Sequence, residues 1–262
     1  MKRPGVRLSW SEVTNPGARP GNQDRIGAAR HAQLACFVVA DGAGGHAGGE
    51  TAATLVRDEV LAAFLESPAA TPTAAARCID KAIARVAAVK AADGAVNGKL
   101  ADMSSTAAVL LVDQDGAAAC WAHLGDSRIY LFRAGALLHA SADHSFVQQL
   151  IEGGYADAGA ARSHPQRHVL LAAIGAENGL AASVSDCADL LPGDALLVCS
   201  DGLWEWVDET AMLAALATSA RAEDWLAALC ARAAQAASGT YGVERDNFSA
   251  YAIRVHAQEN AA

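Results

Sequence analysis

Residues 107–135 read AAVLLVDQDGAAACWAHLGDSRIYLFRAG. Three apolar runs, 107–112, 118–124 and 128–132, follow one another with a few polar or small residues between them. Each is strand-length and rich in Val, Leu, Ile or aromatic side chains. The steps Asp113-Gln114-Asp115-Gly116 and Arg133-Ala134-Gly135 supply the Asp and Gly residues that tight turns need. Strands joined so briefly lie antiparallel, because a parallel partner needs a crossover of about a dozen residues or more.

Further strand-like runs stand at 34–40 (LACFVVA), 195–199 (ALLVC) and 249–255 (SAYAIRV). Helical spacing dominates 49–66, 73–92, 146–153 and 209–238, and Thr71-Pro72 makes a cap and first turn for the second of these. The order lacks the regular strand–helix alternation of a doubly wound sheet. The expectation is therefore an α+β fold, antiparallel sheets with helices packed outside them. Residues 153–168, GGYADAGAARSHPQRH, read as an exposed loop or flap.

The chain has 262 residues, 52% hydrophobic and 19% charged, enough to bury a full core as a single domain spanning 1–262. A net charge of -9 without a concentrated basic face argues against nucleic-acid binding. An acidic protein that handles phosphate needs metal. The six cysteines (36, 78, 120, 187, 199 and 230) show no C-x-x-C pair, and four sit in apolar runs, so reduced core residues are expected. MKRPGVRLSWSE has no apolar stretch of signal-peptide length, and no window approaches a membrane span. A cytoplasmic monomer with no membrane contact is the expectation.

The chemistry concentrates where aspartates end apolar runs: Asp41-Gly42, Asp126-Ser127 and Asp201-Gly202. A lone Asp-Gly reads as a solvated turn. Three at strand ends would converge on one edge of the core if the strands lie side by side, and packed carboxylates raise one another's pKa unless a cation compensates. The donors are all oxygens, which suits hard ions such as Mg²⁺ or Mn²⁺. Asp246, just before the last strand, can join them.

The segments around these residues, taken in order, resemble the metal-dependent serine/threonine protein phosphatases of type 2C, the PPM family, in its bacterial form. The resemblance runs through Arg19-Pro-Gly-Asn-Gln-Asp24-Arg25, VADGAGGHAGGE (39–50), Met103-Ser-Ser-Thr106, LGDSRIYLFRAG (124–135) and DHSFVQQL (143–150). It continues through HPQRHVL (164–170), GDALLVCSDGLWEWV (193–207) and Arg245-Asp-Asn247. It implies a central β-sandwich of two mostly antiparallel sheets between helical layers. It also implies two Mn²⁺ or Mg²⁺ ions bridged by Asp41, with the Gly42 carbonyl helping one, Asp201 and Asp246 holding the other, and Asp24 acting through water. Asp126 would form a third, weaker site with Asp201. Arg19 takes the place of the family's phosphate-binding arginine, whose planar fork suits two phosphoryl oxygens. The implied activity is hydrolysis of phosphoserine and phosphothreonine in proteins by a metal-activated water, opposing a bacterial Ser/Thr kinase. The absence of a C-x₅-R loop disfavours a cysteine phosphatase.

Several positions depart from the pattern. Gln23 stands where an acid is common, and Ala43 where animal and plant members carry a histidine, which leaves the general acid unassigned. His168 and 170–175 differ from the usual bacterial wording near the flap. His46 reads as ligand, acid or structural residue alike; His144 is expected to stabilise its turn and His164 the flap base, while Trp204 and Trp206 pack beside the acids. Two further readings stand beside the phosphatase. One is a silent phosphoprotein-binding module, which would be expected to have lost metal-holding carboxylates. The other is a hydrolase of small phosphate esters.

Overall fold

A computed structural model describes residues 4–43, 46–96, 98–176, 181–238 and 245–258, except the side chains of residues 46 and 47. The strands in chain order are β1 (Val6–Asn15), β2 (Arg25–His31), β3 (Leu34–Ala40), β4 (Gly42–Ala43), β5 (Ser104–Ser105), β6 (Ala107–Asp113), β7 (Ala118–Leu124), β8 (Arg128–Arg133), β9 (Ala136–Ala140), β10 (Ser183–Val184), β11 (Ala188–Asp189), β12 (Ala195–Cys199) and β13 (Phe248–Ala257). The helices are α1 (His46–Glu66), α2 (Pro72–Gly94), α3 (Phe146–Glu152), α4 (Ala160–Ser163), α5 (Asp201–Trp204), α6 (Glu209–Thr218) and α7 (Ala222–Ser238).

One sheet runs β1-β13-β12-β8-β9 and the other β10-β7-β6-β3-β2, with β11 also on β7 and a small β4–β5 ribbon apart. Alternation along the central strands explains the layering. In β3, Phe37 and Val39 face the other sheet, where they share a core with Ile129, Val198, Tyr251 and Ile253, and Leu110 of the neighbouring β6 joins them from their own sheet. Cys36, Val38 and Ala40 point the other way, against Val56, Val60 and Phe64 of α1 and Cys78, Ile79 and Ala82 of α2. The opposite sheet does the same: Tyr130, Phe132, Leu197 and Ala250 pack on Trp204, Trp225 and Leu229 of α5 and α7. Both faces of each sheet are thus buried, which makes the central strands read as continuous apolar runs. The result is the expected sandwich between helical layers.

Thr71 caps α2 by accepting from the Ala74 amide, with Pro72 in its first turn. The 209–238 helical stretch is broken, because Ser219 is extended and its hydroxyl donates to the Ala215 carbonyl, closing α6 before α7 begins. The expectation that all cysteines are reduced is corrected. Cys120 on β7 and Cys187, between β10 and β11, form a disulfide with their Cα atoms 4.4 Å apart. Both short strands pair with β7, and that pairing carries Cys187 across to Cys120. Cys36, Cys78 and Cys199 are free and buried, and Cys230 is free and half-buried. Among the described residues no helix is long and apolar enough to cross a membrane.

Candidate active site

The acids gather at one end of the sandwich. Asp41 follows β3 and Asp126 follows β7, both from one sheet, whereas Asp201 follows β12 and Asp246 precedes β13 in the other. The single-edge picture is therefore corrected: convergence comes from two facing sheets that end together, with Asp24 entering just before β2. Asp41, Asp126, Asp201 and Asp246 line one cavity of about 710 Å³, together with Gly42, Arg19 and His168.

Backbone pairing fixes Asp41. Its amide donates to the Thr106 hydroxyl at 3.0 Å, and the Thr106 amide donates to the Asp41 carbonyl at 2.8 Å. The Thr106 hydroxyl also meets that of Ser127 at 2.7 Å, tying the strand ends together. Between them lies Gly125 at φ +101°, a left-handed conformation in which a Cβ would also stand 2.6 Å from the Thr106 methyl, so glycine is required. Asp126 is held from below, where the Trp204 indole donates to its carbonyl at 2.9 Å. Arg128 lies 3.5 Å from the centre of that indole ring and makes a buried two-pronged pair with Asp143, both contacts at 2.7 Å.

Asp201 opens α5 after Ser200. The Ser200 hydroxyl accepts from the Ser249 amide and donates to Asp24 Oδ2 at 2.8 Å, linking three chain segments beneath the cavity. Asp24 Oδ1 is buried with no hydrogen-bond partner. Asn247 is the matching clamp on the other side: it accepts from the Gln23 amide and donates to the Pro16 and Gly21 carbonyls. It thereby seats the Arg19-bearing loop. Arg19 itself reaches Asp246 at 2.8 Å, both half-exposed at the rim.

Electrostatically this is a frustrated cluster. Burial pushes Asp24 up to about 7, with further upward pressure from Asp201 and Asp246 and relief from the hydroxyls of Ser200 and Ser249. Burial likewise drives Asp41 and Asp126 well above the carboxylate range, and each feels Asp201 as a like charge. Asp201 is raised by burial too, while a hydrogen bond from Asp41 draws it down. An uncompensated set of acids with an orphaned carboxylate oxygen is a donor set suited to cations. The residues fit hard divalent ions.

A family model, "Protein phosphatase 2C", matches residues 19–241, most of the chain and every acid in the cavity except Asp246. The chain belongs to the protein phosphatase 2C family. The chain is similar to the serine/threonine protein phosphatase PstP of Mycobacterium tuberculosis, 31% identical over 82% of this chain and 40% of that protein. It is 31% identical to the serine/threonine phosphatase stp of Listeria monocytogenes, over 67% of this chain and 69% of that one. The PstP catalytic domain solved with two manganese ions superposes with a TM-score of 0.76 at 27% identity, covering 96% of this chain and 99% of that chain. The chain thus spans 40% of the length of the mycobacterial relative.

Seen as a phosphatase 2C chain, most sequence-expected residues come together: Arg19, Asp41, Gly42, Asp126, Asp201 and Asp246 around the cavity, Asp24 beneath it. The His46 side chain lies outside the described residues. His144 does brace its turn, its amide on the Gly125 carbonyl and its ring meeting the Gly125 amide and Ser183. His164 accepts from the Gln166 amide at the base of the flap. Ser200 and Asn247 went unremarked as organisers, although each adjoins a flagged acid. His168 and Glu205 also belong to the neighbourhood: His168 Nδ1 stands 3.6 Å from Glu205.

Proposed function

We propose that this chain is a metal-dependent phosphatase releasing phosphate from phosphoserine and phosphothreonine in proteins. The carrying observation is the group of buried Asp24 and Asp126 and half-buried Asp41 and Asp201, each raised in pKa chiefly by desolvation, with Asp24 Oδ1 unpartnered, at the floor of a cavity rimmed by Arg19 and Asp246. Asp41, the Gly42 carbonyl, Asp201 and Asp246 hold two Mn²⁺ or Mg²⁺ ions, Asp24 supports them through water, and Asp126 with Asp201 offers a third position. Bound there, the ions lower the pKa of water and neutralise charge on the phosphoryl oxygens.

The chain's own residues then divide the work. Arg19 lets go of Asp246 and turns its planar fork to the phosphoryl group, so that ion binding at Asp246 and phosphate binding at Arg19 support each other. Thr106, Ser127 and Gly125 hold the Asp41 and Asp126 backbones at the spacing their carboxyls need. The 153–168 flap beside the cavity contacts the substrate's protein part. All 262 residues act as one catalytic domain, a cytoplasmic monomer whose substrates are products of a bacterial Ser/Thr kinase. No acid of the set is lost, which speaks against a silent binding module.

Phosphate release from a phosphothreonine peptide tests this reading. Turnover should require Mn²⁺ or Mg²⁺, vanish in EDTA, and exceed that on a small aryl phosphate in kcat/KM. No turnover with either ion would overturn it, and a preference for the small ester would replace the protein substrate.

A further inference from the structure

The Cys120–Cys187 disulfide clamps a weakly paired stretch of chain. β10 and β11 are two residues each, and they meet β7 through Ser183 with His123, Val184 with Ala122, Ala188 with Ala119 and Asp189 with Ala118. Between them the Ser185 amide donates to the Trp121 carbonyl at 2.9 Å, and the Ser185 hydroxyl accepts from the Trp121 amide at 2.9 Å. Strand pairs this short are marginal by themselves, so the covalent bond is the strongest tie on 183–189.

A run of contacts leads from this stretch to the acids. The Ser183 hydroxyl stands 3.0 Å from His144 Nε2, and His144 Nδ1 accepts from the Gly125 amide at 3.2 Å. The His144 amide donates to the Gly125 carbonyl at 2.9 Å. Gly125 is the residue before Asp126, so the segment that the disulfide clamps also steadies the backbone that carries Asp126.

We propose that Cys120–Cys187 is a thiol-exchange site, opened by a dithiol reductant, whose oxidation state sets how firmly the Gly125-Asp126 turn is held. Exchange needs a thiolate to reach one sulfur of the bond. Cys187 offers it: the residue is exposed and lines an open cavity of about 500 Å³ with Trp121, Leu138 and His139, whereas Cys120 is fully buried. The reduced form is accommodated as well. Cys120 Sγ lies 3.2 Å from the Ala70 carbonyl oxygen, between α1 and α2, and Cys187 Sγ lies 3.8 Å from the same oxygen. A disulfide sulfur has no hydrogen to give that acceptor, and a thiol does.

In the first step a thiolate of the dithiol attacks Cys187 Sγ, the Cys120–Cys187 bond breaks, and Cys120 leaves with the electron pair and takes up a proton. The second thiol of the reductant then attacks its partner sulfur in the mixed disulfide and releases Cys187. Two electrons and two protons pass to the protein, and the dithiol ends as a disulfide. Given the cytoplasmic location proposed above, such a reductant is at hand, and disulfides that form there serve chiefly as transient or sensing bonds. The effect on Asp126 as an ion ligand rests on the phosphatase reading, but the hold on its turn is measured without turnover.

The test is backbone hydrogen exchange of the full chain, metal-free, as isolated in air, after treatment with dithiothreitol, and as the Cys187→Ser variant, with peptide mapping to show which cysteines are bonded. Mapping should find Cys120 joined to Cys187 in air and both as thiols after treatment. Reduced wild type and Cys187→Ser should both exchange the Trp121, Gly125, His144 and Ser185 amides faster by about tenfold or more, with β12 unchanged. Dithiothreitol should add nothing in Cys187→Ser. Either route suffices if the other sample does not stay folded. Free thiols at both positions in air, unchanged exchange at Gly125 and His144 on reduction, or an equal rise throughout β12 would overturn the proposal.

Discussion

Replacing Asp24 by Asn should stabilise the metal-free protein, and the gain should grow with pH. In the fold this carboxyl titrates near 7 instead of 3.8, chiefly through burial. Below about pH 3.8 it is protonated in both folded and unfolded chains and makes no difference. Stability is then lost progressively as pH rises through 7, because only the folded chain must hold a buried charge. At about 1.4 kcal/mol per pKa unit, the penalty is on the order of 4 kcal/mol at pH 8 and on the order of 2 kcal/mol at pH 5. An asparagine removes the charge while its amide oxygen can still accept from Ser200. Urea unfolding in EDTA at the two pH values reads both numbers. With Mn²⁺ present the order should invert, since the wild-type carboxylate then has its compensating charge. An Asp24→Asn protein less stable than wild type at pH 8 in EDTA, or a gain that does not change with pH, would refute the reasoning.

Three further outcomes follow from the same geometry. Gly202→Ala places a Cβ 1.9 Å from the Asn247 carbonyl, so α5 and the Asp246-Asn247 turn must separate; we expect about 2 kcal/mol of destabilisation by urea titration and a loss of Mn²⁺ affinity by calorimetry. Arg19→Ala frees Asp246 and removes the phosphoryl fork, so kcat/KM on a phosphothreonine peptide should fall by ~10–100-fold while Mn²⁺ affinity holds or rises. The Cys120–Cys187 bond closes a loop across a sequence separation of 67, and a thiol reductant should lower unfolding free energy by up to about 4 kcal/mol, read by thermal denaturation with and without reductant.

The central strands were legible because both of their faces are buried. β3, β6, β7, β8, β12 and β13 read as apolar runs for that reason. The others escaped notice: β1 and β9 at the edges of one sheet, β2 at an edge of the other, and the two-residue β4, β5, β10 and β11, too short to show an alternation. VRLSWSEVTN, RIGAARH and ALLHA each leave part of their length to solvent, so polar residues interrupt the run. α5, at four residues, is too short to show a helical period. In the site, the acids were legible through their place after apolar strands. Two kinds of feature were not. Partners brought together only by the fold, such as Ser200 with Asp24 or Cys120 with Cys187, leave no local pattern. His168 and Glu205 sit in flap and helix positions whose meeting depends on how the flap folds back.

The most direct measurement counts bound Mn²⁺ and phosphate release together, for the wild type, Asp41→Asn and Asp201→Asn. The account predicts folded variants that bind at least one Mn²⁺ fewer and release phosphate from a phosphothreonine peptide more slowly by about a thousandfold or more. Wild-type turnover in either variant, or full loss of turnover with Mn²⁺ binding unchanged in both, would contradict the claim that these carboxylates act by holding the ions.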